Sequence, residues 1–260
     1  MGTKLGIPIR YLDKCVNTGR IGLAQDNVNS WLEDYNKDLF IRMYDDRIRG
    51  LLSTRYSVCD THELLQAIDD KVNFDNLNIK GSYISPERFH LRCAYKDKMF
   101  ADDDLFAGFT IDSSDVGRST LQMRFLIFKQ VCTNGLIVAK NSADLFKQKH
   151  IGITSEEFAK GFEESLDLIP EISMDIRNQI ERTKNVDFAK DKKSLESTIE
   201  KLKANTRFSP TQLEKVFEVM NTNYEPTQWG YINAITEVAQ SLSLEKRLEA
   251  EEYAGTLLVA

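Results

Sequence analysis

The apolar residues of this chain change their period part-way along, and that change limits the fold more than any other feature. Through the first half they alternate. Leu121, Met123, Phe125 and Ile127 interleave with Gln122, Arg124, Leu126 and Phe128, the period of two that belongs to a strand. From residue 142 onward the spacing becomes three and four, in "TSEEFAKGFEESLDLI", "EISMDIRNQIERTK", "KSLESTIEKLKANT", "SPTQLEKVFEVMNT" and "TQWGYINAITEVAQSL", which is helical. Strands first and helices afterwards predict an α+β protein. Its expected divisions are an N-terminal segment over 1–38, a β-rich α+β region over 39–141 with an antiparallel sheet and a few helices, and an all-helical region over 142–260 packed on or beside it.

Local signals sharpen several elements. "DLFIRMYDDRIRGLLSTRYS" predicts a hairpin with arms Leu39–Tyr44 and Arg47–Leu52 around an Asp45-Asp46 turn. Phe40, Arg42 and Tyr44 share one face of its first arm, and Leu39, Ile41 and Met43 the other, apolar face, the natural candidate for burial. "DTHELLQAIDD" predicts a helix of about three turns capped by Asp60 or Thr61, with Glu63 in the first turn. "NLNIKGSYIS" and "RFHLRCAYKD" read as strands separated by Ser85-Pro86-Glu87. Asn134-Gly135 reads as a tight turn, "DNVNSWLEDY" as a brief helix capped near Asn29 or Ser30, and "SADLFKQKH" as helical.

Composition and charge narrow the class of function. No stretch approaches 18 uncharged apolar residues, so no transmembrane helix is expected. The opening MGTKLGIPIR lacks the apolar core of a secretion signal, and Gly6 stands where myristoylation wants Ser or Thr. Cys15, Cys59, Cys93 and Cys132 form no CxxC pair. They are expected to be buried thiols in the cytosol of whatever cell makes the chain, rather than metal ligands or disulfides. The net charge of −6 is uneven: residues 1–150 hold 21 Lys+Arg against 20 Asp+Glu, while residues 151–260 hold 13 against 20. Such a balance argues against duplex DNA binding through bulk charge, and the acidic half suits a basic protein partner.

Searching for chemistry turns up little. His62, His90 and His150 lie far apart with no HExxH spacing, so surface or capping roles are expected. Asp102-Asp103-Asp104 would suit a metal-dependent nuclease, yet adjacent carboxylates in a turn diverge, whereas two-metal sites gather them from separate strands. "SSDVGRS" over 113–119 is not GxSxG, and no glycine-rich phosphate loop follows a strand. No catalytic residue, cofactor or metal is assigned.

The richest constellation is arginine interleaved with aromatics. Arg42, Arg47, Arg49 and Arg55 lie in or just after the hairpin beside Tyr44 and Tyr56, and Arg92, Arg118 and Arg124 follow among Phe89, Tyr95 and Phe125. A sheet exposing such a face would bind single-stranded nucleic acid through phosphate contacts and base stacking; alternatively these arginines pair with nearby carboxylates and lie along the sheet. In "EPTQWGYINAITEVAQ", helical spacing assigns Trp229, Ile232 and Ala239 to a core stripe. Gln228, Asn233 and Glu237 remain as partner or structural contacts, the last two being four apart on one face.

Five segments occurring in order, "RIRGLLSTRYSVCDTHELL", "FTIDSSDVGRSTL", "VCTNGLIV", "KQKHIG" and "TQWGYINAITE", resemble a family of phage- and plasmid-borne proteins known as a domain of unknown function, number nine-thirty-two. The resemblance runs from about residue 39 to the C-terminus. It implies a mobile-element setting rather than a reaction, and it assigns no role to Arg124-Phe125 or to the Lys149-His150 pair, where its pattern varies. The expected function is a phage- or plasmid-encoded, single-strand-binding protein active in annealing or recombination, assembling as a homo-oligomer. The alternatives are a non-enzymatic effector that binds a host or anti-phage defence protein, and a metal-dependent nuclease.

Overall fold

Two helices, α1 (Ile9–Asn17) and α2 (Ile21–Glu33), precede the hairpin of β1 (Leu39–Tyr44) and β2 (Arg47–Ser53). The computed structural model describes residues 5–85, 87–97, 105–129, 134–137 and 144–258. Asp45 and Asp46 both adopt positive φ, 50° and 57°, as a tight hairpin turn requires. The α2 helix begins well before Asn29 and has no side-chain cap, so the expected cap lies in its interior. The hairpin also turns the other way from its apolar pattern. Ile41 and Met43 are exposed, at 47% and 59%, and Phe40 and Arg42 point inward, because loop 114–118 and residue 150 pack on that side.

The main sheet is antiparallel, in the order β3 (Leu77–Ile84), β4 (Phe89–Tyr95), β5 (Leu105–Ser113), β6 (Leu121–Lys129), β7 (Asn134–Ile137). Strand β8 (Asp144–Gln148) pairs with Leu121–Arg124 of β6 while β7 pairs with Leu126–Lys129, so two short strands share one edge. Thus "SADLFKQKH" holds a strand, not a helix: pairing with β6 outweighs the weak helical preference of a short segment. Asn134 and Gly135 lie within β7 rather than in a turn. Before the sheet comes α3 (Thr61–Val72), where the Asp60 backbone N–H donates to the Glu63 carboxylate at 2.9 Å, the capping box expected there.

Helices α4 (Ser155–Asp167), α5 (Ile169–Lys184), α6 (Lys192–Asn205), α7 (Pro210–Asn223), α8 (Gln228–Ala239) and α9 (Leu244–Leu258) complete the chain. One face of the sheet, with Leu91, Cys93, Phe109, Ile111, Met123 and Phe125, belongs to a single apolar cluster that continues through Phe162, Ile176, Ile180 and Val216 to Ile232, Ile235 and Ala254. The opposite face carries Ala94, Leu126 and Phe128 under Leu248 of α9. The α8 helix is buried from Gly230 through Thr236 without interruption. It is therefore a central helix rather than an amphipathic one.

Candidate functional site

Strand alternation puts His90 and Arg92 of β4, Thr110 and Asp112 of β5 and Arg124 of β6 on the sheet face that α9 covers. The register aligns Arg92 with Thr110 and Thr110 with Arg124. Glu251 of α9 accepts two hydrogen bonds from Arg92, at 3.2 and 2.8 Å, and a third from Arg247 at 2.9 Å. Glu252 pairs with Arg124. Asp112 accepts from Arg88 at 2.7 Å, from His90 Nδ1 at 3.0 Å and from Arg124 at 3.1 Å. Burial by itself raises the Asp112 carboxyl; the hydrogen bonds and charges of His90, Arg124 and Arg88 outweigh it and hold the group well below the usual carboxylate range. Arg92 and Arg124 are therefore sealed in ion pairs and do not form an exposed nucleic-acid face. The sequence shows arginines on one sheet face, but which distant helix supplies their counter-charges is a tertiary matter.

The other arginines lie around the hairpin. Arg42 is held by Asp60. Arg49 sits over the ring of Tyr44, 5.4 Å from its centroid, and Tyr44 is 69% exposed. Arg47, Arg55 and Arg118 are exposed. Tyr44, Arg47 and Arg49 line a groove of about 680 Å³ that also contains Asp45, Ile84 and Glu87. Arg118 reaches to 3.8 Å from Glu87 and also lines a second cleft, of about 370 Å³, beyond the end of β2. The two hollows are thus neighbours across the Glu87–Arg118 contact.

Three separate segments build that second cleft. Tyr56 bridges to Ile151, and the Ser57 backbone N–H donates to the His150 carbonyl at 3.0 Å, joining the residues after β2 to those after β8. The third segment is the loop after β5. There the Ser114 hydroxyl accepts from the backbone N–H of Arg118 at 2.9 Å and donates to the Glu87 carbonyl, and the Ser114 carbonyl accepts from the Tyr56 hydroxyl at 3.0 Å. Gly117 closes the loop at φ +69°, where a Cβ would lie 3.0 Å from a Leu52 methyl, so only glycine fits without strain. Tyr56 lies between Phe40 and His150, stacked on the histidine at 5.2 Å and 17°. Burial pushes the Tyr56 hydroxyl up to about 12 and lowers the pKa of His150. His150 is 5% exposed, and among the described residues neither of its ring nitrogens makes a well-formed hydrogen bond, the Ser57 backbone only partly offsetting the effect of burial on its pKa; the buried Ser119 hydroxyl also has no partner there. Such unsatisfied buried groups cost about 1–3 kcal/mol each, and both lie on a cleft rimmed by Arg118 and Lys149.

His150 thus follows a strand and is buried, as is His90, while His62 is exposed in the first turn of α3. Asp102, Asp103, Asp104 and Cys132 lie outside the described residues. Among the described residues no three His, Cys, Asp or Glu side chains gather as a metal site. Cys15, Cys59 and Cys93 are buried free thiols, as expected. The pattern of residue types gave no reason to choose Lys149, His150 and Ser119. The usable signal was that "STRYS", "SSDVGRST" and "KQKHIG" belong to three of the five fingerprint segments, and these meet here.

The polar residues of α8 mostly bond to the protein itself. Gln228 donates to the Leu257 carbonyl of α9 at 2.5 Å. Asn233, 4% exposed, donates to the Trp229 carbonyl at 2.7 Å. Glu237 accepts from the Tyr224 hydroxyl at 2.7 Å and from Asn223 at 3.2 Å, tying α8 to the end of α7. Trp229 is partly buried against the core, and with Asn233 it lines a hollow shared with Lys129 and Lys184.

Fold and cleft together define an α+β protein with a small aromatic- and cation-lined cleft where hairpin, sheet loop and β8 converge. The model of one family, Domain of unknown function (DUF932), matches residues 49–252. The chain belongs to this family. No curated protein and no solved structure matches it. Among the described residues no helix is long and apolar enough to cross a membrane.

Proposed function

We propose that the protein binds single-stranded nucleic acid along the surface formed by the β1–β2 hairpin and the loop after β5, in a phage or plasmid setting, as a non-catalytic factor in strand annealing or recombination. The observation that carries this reading is the run of exposed cations beside an exposed aromatic: Arg47 and Tyr44 at the hairpin tip, then Arg118 and Lys149 at the neighbouring cleft. Cations of this kind neutralise phosphates, and an exposed tyrosine ring stacks a base without regard to sequence. Asp45 and Glu87 line the same groove, so stacking contributes more there than bulk charge. The mobile-element setting rests on the resemblance of the five segments, and the homo-oligomer on the annealing role itself.

Anisotropy titration of a labelled single-stranded oligonucleotide across a range of salt tests the reading. Three phosphate contacts, from Arg47, Arg118 and Lys149, give a log–log salt slope of about −2. Arg47→Glu is expected to flatten that slope, and Tyr44→Ala to weaken binding with the slope unchanged. Absence of binding at low salt would refute the proposal.

A further inference from the structure

We infer that the cleft floored by His150 is a binding site for a phosphate monoester, the group carried by a mononucleotide or by the end of a nucleic-acid strand. The inference rests on the nucleic-acid reading for the source of the phosphate, and on the cleft itself for the chemistry. His150 is almost wholly buried yet lines an open hollow, and among the described residues neither of its ring nitrogens makes a well-formed hydrogen bond beyond the weak approach of the Ser57 backbone, while the Ser119 hydroxyl on the same hollow has no partner. A ligand oxygen entering the cleft supplies the missing partners: an imidazole N–H and a hydroxyl both donate to phosphate.

The charges at the rim match that ligand. Arg118 has a 70% exposed side chain whose one ion pair among the described residues is the 3.8 Å contact to Glu87, and Lys149 is exposed. Two cations suit a dianion, and guanidinium–phosphate hydrogen bonds are among the stronger kinds. The two carboxylates whose fields reach His150 are both occupied. Asp60 holds Arg42, and Asp115 accepts from the Thr61 backbone and hydroxyl at 3.2 and 3.0 Å. Leu52 and Ile151 give the walls an apolar part beside Ser53 and Thr120, and the Tyr56 ring fixes the imidazole by stacking. A monoester fits better than an internal phosphodiester, since it presents three free oxygens to the floor of a cleft and leaves only one ester substituent to exit. An internal linkage must thread chain through both sides.

The test is an imidazole NMR titration of the full chain with inorganic phosphate at constant chloride ionic strength, with the His150 signals assigned through His150→Gln. The expected result is a saturable shift of the His150 signals, with those of His62 and His90 unmoved, and about tenfold weaker binding in each of the surface variants Arg118→Gln and Lys149→Gln. Unmoved His150 signals at millimolar phosphate, or a shift indifferent to both variants, would overturn the inference. A companion anisotropy measurement compares 5′-phosphorylated and 5′-hydroxyl oligonucleotides, with a mononucleotide as competitor. Preference for the phosphorylated end identifies strand ends as the source, and displacement of phosphate by the mononucleotide alone identifies free nucleotide. If phosphate shifts His150 but no oligonucleotide binds, the site stands and the strand-binding reading falls. If oligonucleotides bind while His150 stays silent to phosphate, the reverse holds.

Discussion

Arg92 on β4 and Glu251 on α9, 159 residues apart in the chain, meet in a two-point ion pair from which water is excluded, with side-chain exposures of 3% and 0%. Burial lowers the Arg92 pKa, and the Glu251 carboxylate opposes that shift. Removing one partner leaves the other as an uncompensated buried charge. Glu251→Ala is expected to cost about 3–5 kcal/mol in urea unfolding. The double replacement Arg92→Leu with Glu251→Leu is expected to recover most of that loss, because apolar packing replaces a pair whose desolvation was already costly.

Asp112 predicts how stability varies with acid. Its carboxyl is held below the ordinary value of 3.8 in the folded state, so the unfolded chain binds the proton more readily. Its contribution is therefore complete above that value and is lost as pH falls through the folded one. Asp112→Asn is expected to be less stable than the parent at pH 7 and to show a shallower fall in urea midpoint below pH 4. Parallel pH profiles for the two proteins would refute this.

Gly108 lets β4 and β5 approach each other. A Cβ there would lie 2.1 Å from the Cys93 carbonyl oxygen and 2.9 Å from the Ala94 Cα, both backbone atoms that cannot rotate away. Gly108→Ala is expected to destabilise by about 2–3 kcal/mol as an overpacking change. Chemical denaturation against the parent measures it.

Burial pushes the Cys59 and Cys93 thiols up to about 12. Since the thiolate is the reactive form, both are expected to resist iodoacetamide at pH 8 in the folded protein and to react fully in urea. Site-resolved mass spectrometry distinguishes them from the other cysteines.

The hairpin offers a contrary expectation. Met43 lies on the apolar face of β1 but is 59% exposed. Met43→Gln is therefore expected to change stability by less than about 0.5 kcal/mol, whereas a core position would lose several times that amount. Thermal unfolding of the variant decides which face of the hairpin is covered.

Features set by near neighbours were legible from residue order alone. The Asp45-Asp46 turn, the Asp60–Glu63 cap and the alternation along β6 depend on contacts a few residues away. Mistaken expectations had a different cause. "SADLFKQKH" became β8 because β6 had half an edge to fill, and α8 is buried from Gly230 through Thr236, beyond the expected stripe, because α5, α7 and α9 surround it. The same limit applied to the site. Arg92 and Arg124 looked available until the acidic residues of α9 lay over them, whereas Arg47 and Arg118 did remain exposed.

Residue order by itself determined that strands precede helices, where the hairpin turns, and that the chain bears the marks of its family, since periodicity, turn chemistry and capping act over a few residues. Only the tertiary structure decided which faces are covered, which charges are neutralised, and that Tyr56, Ser119 and His150 share one cleft. Those outcomes depend on desolvation and packing between distant segments, 94 positions apart for Tyr56 and His150 and 159 for Arg92 and Glu251. No local pattern specifies which of several apolar or charged surfaces will meet.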